Sequence, residues 1–318
     1  MKETLLIILI TGIFAFSCKT EKKEKKEHSL LAYKTQATLG EGALWDYKND
    51  RLLWVDIEKG LLNLYDPASD QNESIELGQK VGTVVPVDTG GVLLALKKGI
   101  YRMNLQNKTK ELMVHPEAKV SGNRYNDGKC DPSGRFWVGT MGLKAEEGVG
   151  ALYRIDHDFS YHRMIENVSI SNGIVWSLDA SKMYYIDTPT RQVVEYEYND
   201  STGSISNPEV IIEIADSLGH PDGSTLDANG NIWIAMWGGN AVTCWDPHTG
   251  KLLKRIKLPA PNVTSCAFGG KDMNQLYVTT ARSGLSKEQL QEYPLSGSLF
   301  VIDTKVEGVQ AEYFKSQD

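Results

Sequence analysis

The chain has 318 residues, of which 41% are hydrophobic, so it can bury a large core in one or two domains. Its formal net charge is −7 and it has no basic stripe, so nucleic acid is excluded as an expected partner. Its 29 glycines and 7 tryptophans favour a protein of short strands and frequent turns.

The first 17 residues are typical of a secretory signal peptide. The apolar run from Leu5 to Phe16 is too short for a membrane span, and Ala15 to Cys18 resembles a bacterial lipobox. We therefore expect lipidation at Cys18 and a place in the bacterial cell envelope, periplasmic or surface-exposed. The lipid anchor is then the expected contact with the membrane. The alternative is an ordinary signal peptide in which Cys18 is incidental.

Residues 18–29 are predicted to be a charged tether. Lysine and glutamate dominate from Lys19 to Glu27, and a segment without apolar residues has nothing to bury. The folded domain is expected to span residues 30–318, and nothing in the sequence indicates a protein partner.

Short apolar runs alternate with turn clusters through this domain, and no long amphipathic helix pattern interrupts them. Each core run follows a turn rich in Asp, Asn and Gly, and the turns recur roughly every 42 to 48 residues, the spacing of four-stranded propeller blades. The six core runs are Leu52–Asp56, Val92–Leu96, Phe136–Gly139, Met183–Asp187, Ile232–Ala235 and Leu276–Thr279. A second run follows each: Leu61–Tyr65, Gly99–Met103, Ala151–Ile155, Val193–Tyr198, Ala241–Asp246 and Ser298–Ile302. The sequence therefore predicts an all-β, six-bladed β-propeller.

The cysteines show no metal-binding or redox spacing. Cys130, Cys244 and Cys266 are expected to be buried free thiols, although a pairing among them stays open. A serine hydrolase is not expected, because the chain has no Gly-x-Ser-x-Gly motif.

Polar residues stand one turn before several core runs, where a propeller strand would face the central tunnel. Glu41, Asp127, Asn172 and Asp222 are each followed directly by glycine. Their oxygen atoms suit a hard divalent cation such as Ca²⁺, Mg²⁺ or Mn²⁺ better than a structural zinc site. The alternative is that these Asp-Gly and Asn-Gly pairs are simply turn residues.

The order and spacing of several motifs resemble the gluconolactonase, regucalcin and senescence-marker-protein family of six-bladed propellers. The resemblance extends from about Leu39 to Phe314. The matching segments are Gly40–Trp45, Arg124–Lys129, Asp131–Arg135, Gly139–Met141, Ser171–Gly173, Tyr185–Asp187, Pro221–Gly223 and Ser265–Gly270.

This resemblance implies hydrolysis of sugar lactones with one divalent cation (Ca²⁺, Zn²⁺, Mg²⁺ or Mn²⁺) at the tunnel mouth. The metal ligands that it implies are Glu41, Asn172 and Asp222. It also implies that Arg124 and Asn126 contact the substrate and that Asp127 lies beside the ion.

We expect Asp222 to be the general base, with Asp127 as second candidate. The loop after Met141 departs from the animal members, which often have an acidic residue there that contacts substrate. Here Lys144 is nearest, with Glu146 and Glu147 just beyond, so Lys144 and Glu147 are the candidate substrate contacts.

Two other functions fit the same pattern. A related propeller hydrolase could act on organophosphates or other esters, because the same ion polarises a phosphoryl oxygen. A lipid-anchored binding propeller could hold a purely structural ion, since fold does not fix function. The sequence leaves open which sugar lactone and which ion are used.

Overall fold

The structure is a computed structural model that describes residues 29–317. Within that range, 24 strands form six four-stranded sheets, and the strands that pair are antiparallel. In five sheets the spatial order of the strands follows their order in the sequence.

Blade 1 consists of β2 (Gly40–Asp46), β3 (Arg51–Asp56), β4 (Leu61–Asp66) and β5 (Gln71–Glu76). Blade 2 consists of β6 (Val81–Pro86), β7 (Val92–Leu96), β8 (Gly99–Met103) and β9 (Lys110–Val114). Blade 3 consists of β10 (Asn123–Cys130), β11 (Phe136–Gly142), β12 (Gly150–Ile155) and β13 (Tyr161–Val168). Blade 4 consists of β14 (Ser171–Trp176), β15 (Lys182–Asp187), β16 (Gln192–Asn199) and β17 (Ser204–Glu213). Blade 5 consists of β18 (His220–Leu226), β19 (Ile232–Trp237), β20 (Ala241–Asp246) and β21 (Lys251–Lys257).

The sixth blade closes the ring with both ends of the domain. Its strands β22 (Asn262–Gly269), β23 (Gln275–Ala281) and β24 (Leu299–Asp303) are followed by β1 (Ser29–Tyr33), which pairs antiparallel with β24. A first strand that completes the last blade ties the two ends together, so the ring has no open seam.

The first strand of each blade is innermost, and these six strands contact one another around the central tunnel. The apolar core lies between neighbouring blades. Trp233 of β19, for example, packs edge-to-face on Phe268 of β22, with ring centroids 5.7 Å apart. Because each blade buries its faces only against the next, the ring is one cooperative unit.

Helical structure in the described range is limited to short segments. The helix α1 (Lys287–Glu292) begins at Ser286, whose hydroxyl accepts from Gln289 N in a capping box. Two 3₁₀ turns cover Thr188–Thr190 and Asp216–Leu218. No helix between residues 29 and 317 is long and apolar enough to cross a membrane.

The C-terminal segment, residues 304–317, crosses one end of the tunnel. This is the end at which the inner strands finish. Ala228 N in blade 5 donates to Glu307 O (2.8 Å), and Phe314 N donates to Pro86 O in blade 2 (2.9 Å). Lys315 N then donates to Gly134 O in blade 3 (3.0 Å). The segment therefore covers that end, and the opposite end is where a ligand can enter.

The predicted fold class, an all-β six-bladed propeller, is confirmed. The six core runs are the second strands of the blades, and the runs that follow them are the third strands. Cys130, Cys244 and Cys266 are buried free thiols. The signal peptide, the tether as far as residue 28 and lipidation at Cys18 lie outside the described residues and stay predictions.

Candidate active site

The candidate site lies on the inner strands of blades 1, 3, 4 and 5, near the start of each. Every inner strand has a break in its register with the second strand, as between Glu41 and Leu44 in β2 or between Asn172 and Ile174 in β14. An extra residue of this kind re-aims the side chains beside it. Glu41, Asn172 and Asp222 each lie at such an irregularity, and all three line one cavity at the tunnel mouth.

The glycines that follow these polar residues lie inside strands, so the interpretation as plain turn residues is wrong. A Cβ on Gly173 would stand 2.6 Å from Ser224 Oγ, and a Cβ on Gly223 would stand 2.7 Å from Ser265 Oγ. Glycine is required there because neighbouring inner strands approach too closely for any side chain.

A cavity of about 500 Å³ opens at this end, and we call it the mouth cavity. Polar side chains form its floor: Glu41, Arg124, Asn126, Asn172 and Asp222. The wall is largely apolar, with Leu39, Ile57, Met141, Leu143, Ile170, Pro189 and Trp237. Glu58, Lys144, Thr188, His220 and Ser283 add polar groups to the lining. A largely apolar wall around a few converging polar groups is the usual form of a small-molecule site.

Hydrogen bonds fix the substrate-binding candidates of blade 3. Arg124 Nη1 donates to Tyr125 O (3.0 Å) and to Asn126 Oδ1 (2.6 Å). Asn126 Nδ2 donates in turn to Ser171 O (2.7 Å) and to Asn172 Oδ1 (3.2 Å). Nε and Nη2 of Arg124 have no hydrogen-bond partner within residues 29–317, and Arg124 lines the mouth cavity.

Thr188 orients the amide of Asn172. Asn172 Nδ2 donates to Thr188 Oγ1 (2.8 Å), and the same hydroxyl donates to Pro221 O (2.9 Å), the residue before Asp222. With its nitrogen held by Thr188, the amide turns Oδ1 the other way, toward Asn126. One hydroxyl thus links the two candidate ligands of blades 4 and 5.

Negative charge at the floor is only partly balanced by Arg124. Burial and the neighbouring Asp127 raise the pKa of Glu41 to about 8. Burial and Glu41 raise the pKa of Asp222 well above its usual value, and burial raises that of Asp127. These shifts mean that the carboxylates repel one another and lack water.

The donor set fits a hard divalent cation. Asp222 Oδ1 is buried and has no hydrogen-bond partner in the described range, which is unusual for a carboxylate oxygen. Two carboxylates and one amide oxygen are ligands that Ca²⁺, Mg²⁺ or Mn²⁺ accept. No group of three or more His, Cys, Asp or Glu that could hold a metal occurs in residues 29–317, so Asn172 would have to complete the set.

Two cationic side chains accompany the carboxylates. Burial lowers the pKa of Arg124, and the charges of Glu58, Glu41 and Asp222 oppose that effect. Lys129, deeper in the tunnel, donates from Nζ to Ser224 O (2.6 Å), and its charge opposes the raised pKa of Asp127. Three carboxyl groups and two cationic side chains meet at this end of the tunnel, so full ionisation of the carboxyl groups leaves excess negative charge that a cation would offset.

The remaining predicted residues lie at different depths. Asp127 lies next to the site without lining the mouth cavity, and its Oδ1 accepts from Gly128 N (2.8 Å). Lys144 lines the cavity from the exposed loop after Met141. Glu147 is exposed and outside the lining, so its contact with substrate stays a prediction.

Sequence reasoning missed Thr188, Glu58 and Trp237. Thr188 directly follows the Tyr185–Asp187 motif, which was the one available signal. Glu58 follows the second strand of blade 1, and Trp237 is the last residue of the second strand of blade 5. The local sequence at these positions does not indicate that either residue lines the cavity.

Comparison with known proteins identifies the family. The sequence profile described as "SMP-30/Gluconolactonase/LRE-like region" matches residues 39–282, which cover all six inner strands. The chain belongs to this family. The predicted resemblance is thereby confirmed, and the names of the family and of its members point to lactone hydrolysis.

Two relatives and one solved structure show how far the similarity extends. YvrE of Bacillus subtilis, named provisionally as a sugar lactone lactonase, is 39% identical over 89% of this chain and 97% of its own length. Regucalcin of Danio rerio is 36% identical over 85% of this chain and 92% of its own. The crystal structure of a calcium-binding regucalcin of Agrobacterium tumefaciens superposes with a TM-score of 0.86 at 30% identity, covering 89% of this chain and 96% of its own.

Proposed function

We propose that this member of the family is a divalent-cation-dependent hydrolase that opens sugar lactones to hydroxy acids. The observation that carries the proposal is the set of buried oxygen donors on Glu41, Asn172 and Asp222 at the floor of the mouth cavity. The name of YvrE supports lactone hydrolysis, and the calcium-binding regucalcin supports a divalent cation.

Glu41, Asn172 and Asp222 would hold the cation. A divalent cation there supplies Lewis acidity for a lactone carbonyl and lowers the pKa of water, which is the chemistry that ester hydrolysis needs. Because the third ligand is a neutral amide, the two carboxylates would balance the ion's charge without exceeding it.

Asp222 is the proposed general base, since its side chain lines the floor of the cavity and its Oδ1 has no hydrogen-bond partner in the described range. It would take a proton from water as the water oxygen bonds to the lactone carbonyl carbon. The ring C–O bond then breaks, and the same proton passes to the leaving alkoxide, which gives the open hydroxy acid. A positioned carboxylate base contributes about 10²–10⁴-fold to such a rate.

Arg124 and Asn126 would orient the substrate. Arg124 is pinned through Nη1, which leaves a charged donor for the oxygen that gains negative charge at the carbonyl. Asn126 is held by Arg124 on one side and by Ser171 on the other, so it offers a fixed polar group beside Asn172.

A panel of aldonolactones tests the proposal. The metal-stripped protein is reloaded in turn with Ca²⁺, Zn²⁺, Mg²⁺ and Mn²⁺, and ring opening is followed by acid release. We expect hydrolysis of at least one aldonolactone that chelation abolishes and cation restores. Stoichiometric cation binding with no hydrolysis of any lactone would contradict the proposal and favour a structural ion.

Replacing Thr188 by Val is expected to weaken cation binding about tenfold or more, the usual cost of removing a group that orients a metal ligand. Valine keeps the volume and loses both the acceptor for Asn172 Nδ2 and the donor to Pro221 O. Titration calorimetry with Mn²⁺ measures the effect. Thr188→Ser keeps the hydroxyl and is expected to stay near the wild-type affinity, so equal loss in both variants would contradict this role.

A further inference from the structure

His220 is the first residue of β18 and lies two positions before Asp222, in the lining of the mouth cavity. Its Nε2 is 3.1 Å from Nη2 of Arg191. Arg191 is itself fixed, because its Nη1 donates to Gly219 O (3.3 Å) and pairs with Asp216 Oδ1 (3.0 Å). Arg191 lies outside the lining of the cavity, behind His220.

The contact with Arg191 decides where the imidazole proton lies. A guanidinium group has donors and no acceptor, so His220 Nε2 must accept this hydrogen bond. The ring is therefore neutral, and its single N–H is on Nδ1. No residue between 29 and 317 accepts a hydrogen bond from that nitrogen.

The surroundings make this donor selective. The wall of the mouth cavity is largely apolar and includes Ile170, Pro189 and Trp237, of which Trp237 pairs with His220 in the strand register. A single directed donor in an apolar wall favours a ligand with an acceptor oxygen at that point over one with a plain methylene.

We propose that His220 Nδ1–H donates a hydrogen bond to a ring hydroxyl of the substrate and thereby selects hydroxylated lactones over unsubstituted ones. Arg191 is the positioning residue that holds the imidazole in this tautomer. The inference rests on the proposed lactone hydrolysis and adds the part of the substrate that this wall recognises.

Two amide variants distinguish the roles of the two ring nitrogens of His220. In H220N the amide nitrogen can take the place of Nδ1, and in H220Q it can take the place of Nε2. In the cation-loaded protein, kcat/KM is compared for glucono-δ-lactone and for δ-valerolactone, which has no hydroxyl. H220Q and H220A are expected to lower the ratio of the two values about tenfold, the usual effect of one hydrogen bond. H220N is expected to remain within about threefold of wild type.

The exposed His248 of the same blade supplies the matched control, and H248Q is expected to change neither value. Equal losses on both lactones in every His220 variant, or no loss in H220A, would overturn the inference.

Binding of 1,5-anhydroglucitol, which has the hydroxylated ring and no carbonyl, separates this inference from the proposed function. Weaker calorimetric binding of this polyol to H220Q than to H220N supports the role of His220, even if the wild type hydrolyses neither lactone and the proposed function fails. Equal binding of the polyol to wild type and H220A would overturn the inference while leaving lactone hydrolysis intact.

Discussion

Replacing Asp222 by Asn is expected to lower kcat for lactone hydrolysis by about 10³-fold or more and to weaken cation binding. The substitution keeps the shape of the side chain and removes its charge. It therefore removes one of two anionic ligands and the proposed base together, and base catalysis alone is worth about 10²–10⁴-fold. Activity and cation content are measured on the same preparation, so that the two losses can be compared.

Asp303→Asn provides the control, because that carboxylate is exposed at the end of β24 and takes no part in the site. Asp127→Asn distinguishes the two candidate bases. If Asp127→Asn keeps its cation and loses more kcat than Asp222→Asn, the base is Asp127. Full activity in cation-loaded Asp222→Asn would remove Asp222 from the mechanism.

The chelated protein is expected to become less stable as pH rises from about 5 to about 8. Burial and Asp127 raise the pKa of Glu41 from 4.5 to about 8, and the pKa of Asp222 is raised as well. Across this window the folded chain holds protons that the unfolded chain has already released, so increasing pH favours unfolding. The folded state is favoured most at a pH below the pKa that these carboxyl groups have in the unfolded chain. That advantage is lost as the pH rises through their pKa in the folded chain.

A bound cation should reverse the loss of stability with rising pH, because it replaces the protons held by Glu41 and Asp222. Cation affinity is then expected to rise over the same window by about tenfold per pH unit for each proton displaced. Melting temperatures at pH 5, 6, 7 and 8, with chelator and with Ca²⁺, measure both effects. Glu41→Gln should flatten the dependence, and a chelated wild type whose melting temperature is constant or rises from pH 5 to 8 would contradict it.

The second and third strands of each blade were predictable because they are buried, apolar and preceded by turn residues. Phe136–Gly142 and Ile232–Trp237 are examples, with aromatic and β-branched side chains packed between blades. The outermost strands gave no such signal, since strands such as Gln71–Glu76 face solvent and carry polar residues. Residues Pro221–Gly223 of the innermost strand β18 have the composition of a turn. The reason is that strands lining the tunnel carry polar residues and glycine.

The repeated pattern predicted four oxygen-bearing candidates, because a shared position in different blades maps to one place in a ring. The family resemblance then reduced the metal ligands to Glu41, Asn172 and Asp222, which line one cavity. Thr188 and the pair Arg191–His220 were not predictable in this way. Their roles depend on contacts between blades 4 and 5 that no spacing within one blade records. Asp127 shows the opposite case, since a shared position did not bring its side chain into the cavity lining.

Glu41, Asn172 and Asp222 are proposed to bind one divalent cation at the mouth of the tunnel. The most direct test is anomalous diffraction from crystals of the protein grown with Mn²⁺. We expect one strong peak within about 2.0–2.6 Å of an oxygen of each of the three side chains, the range for hard cations and oxygen ligands. A Mn²⁺ peak elsewhere with none at this position, or three side chains whose oxygens point away from one another, would contradict the account.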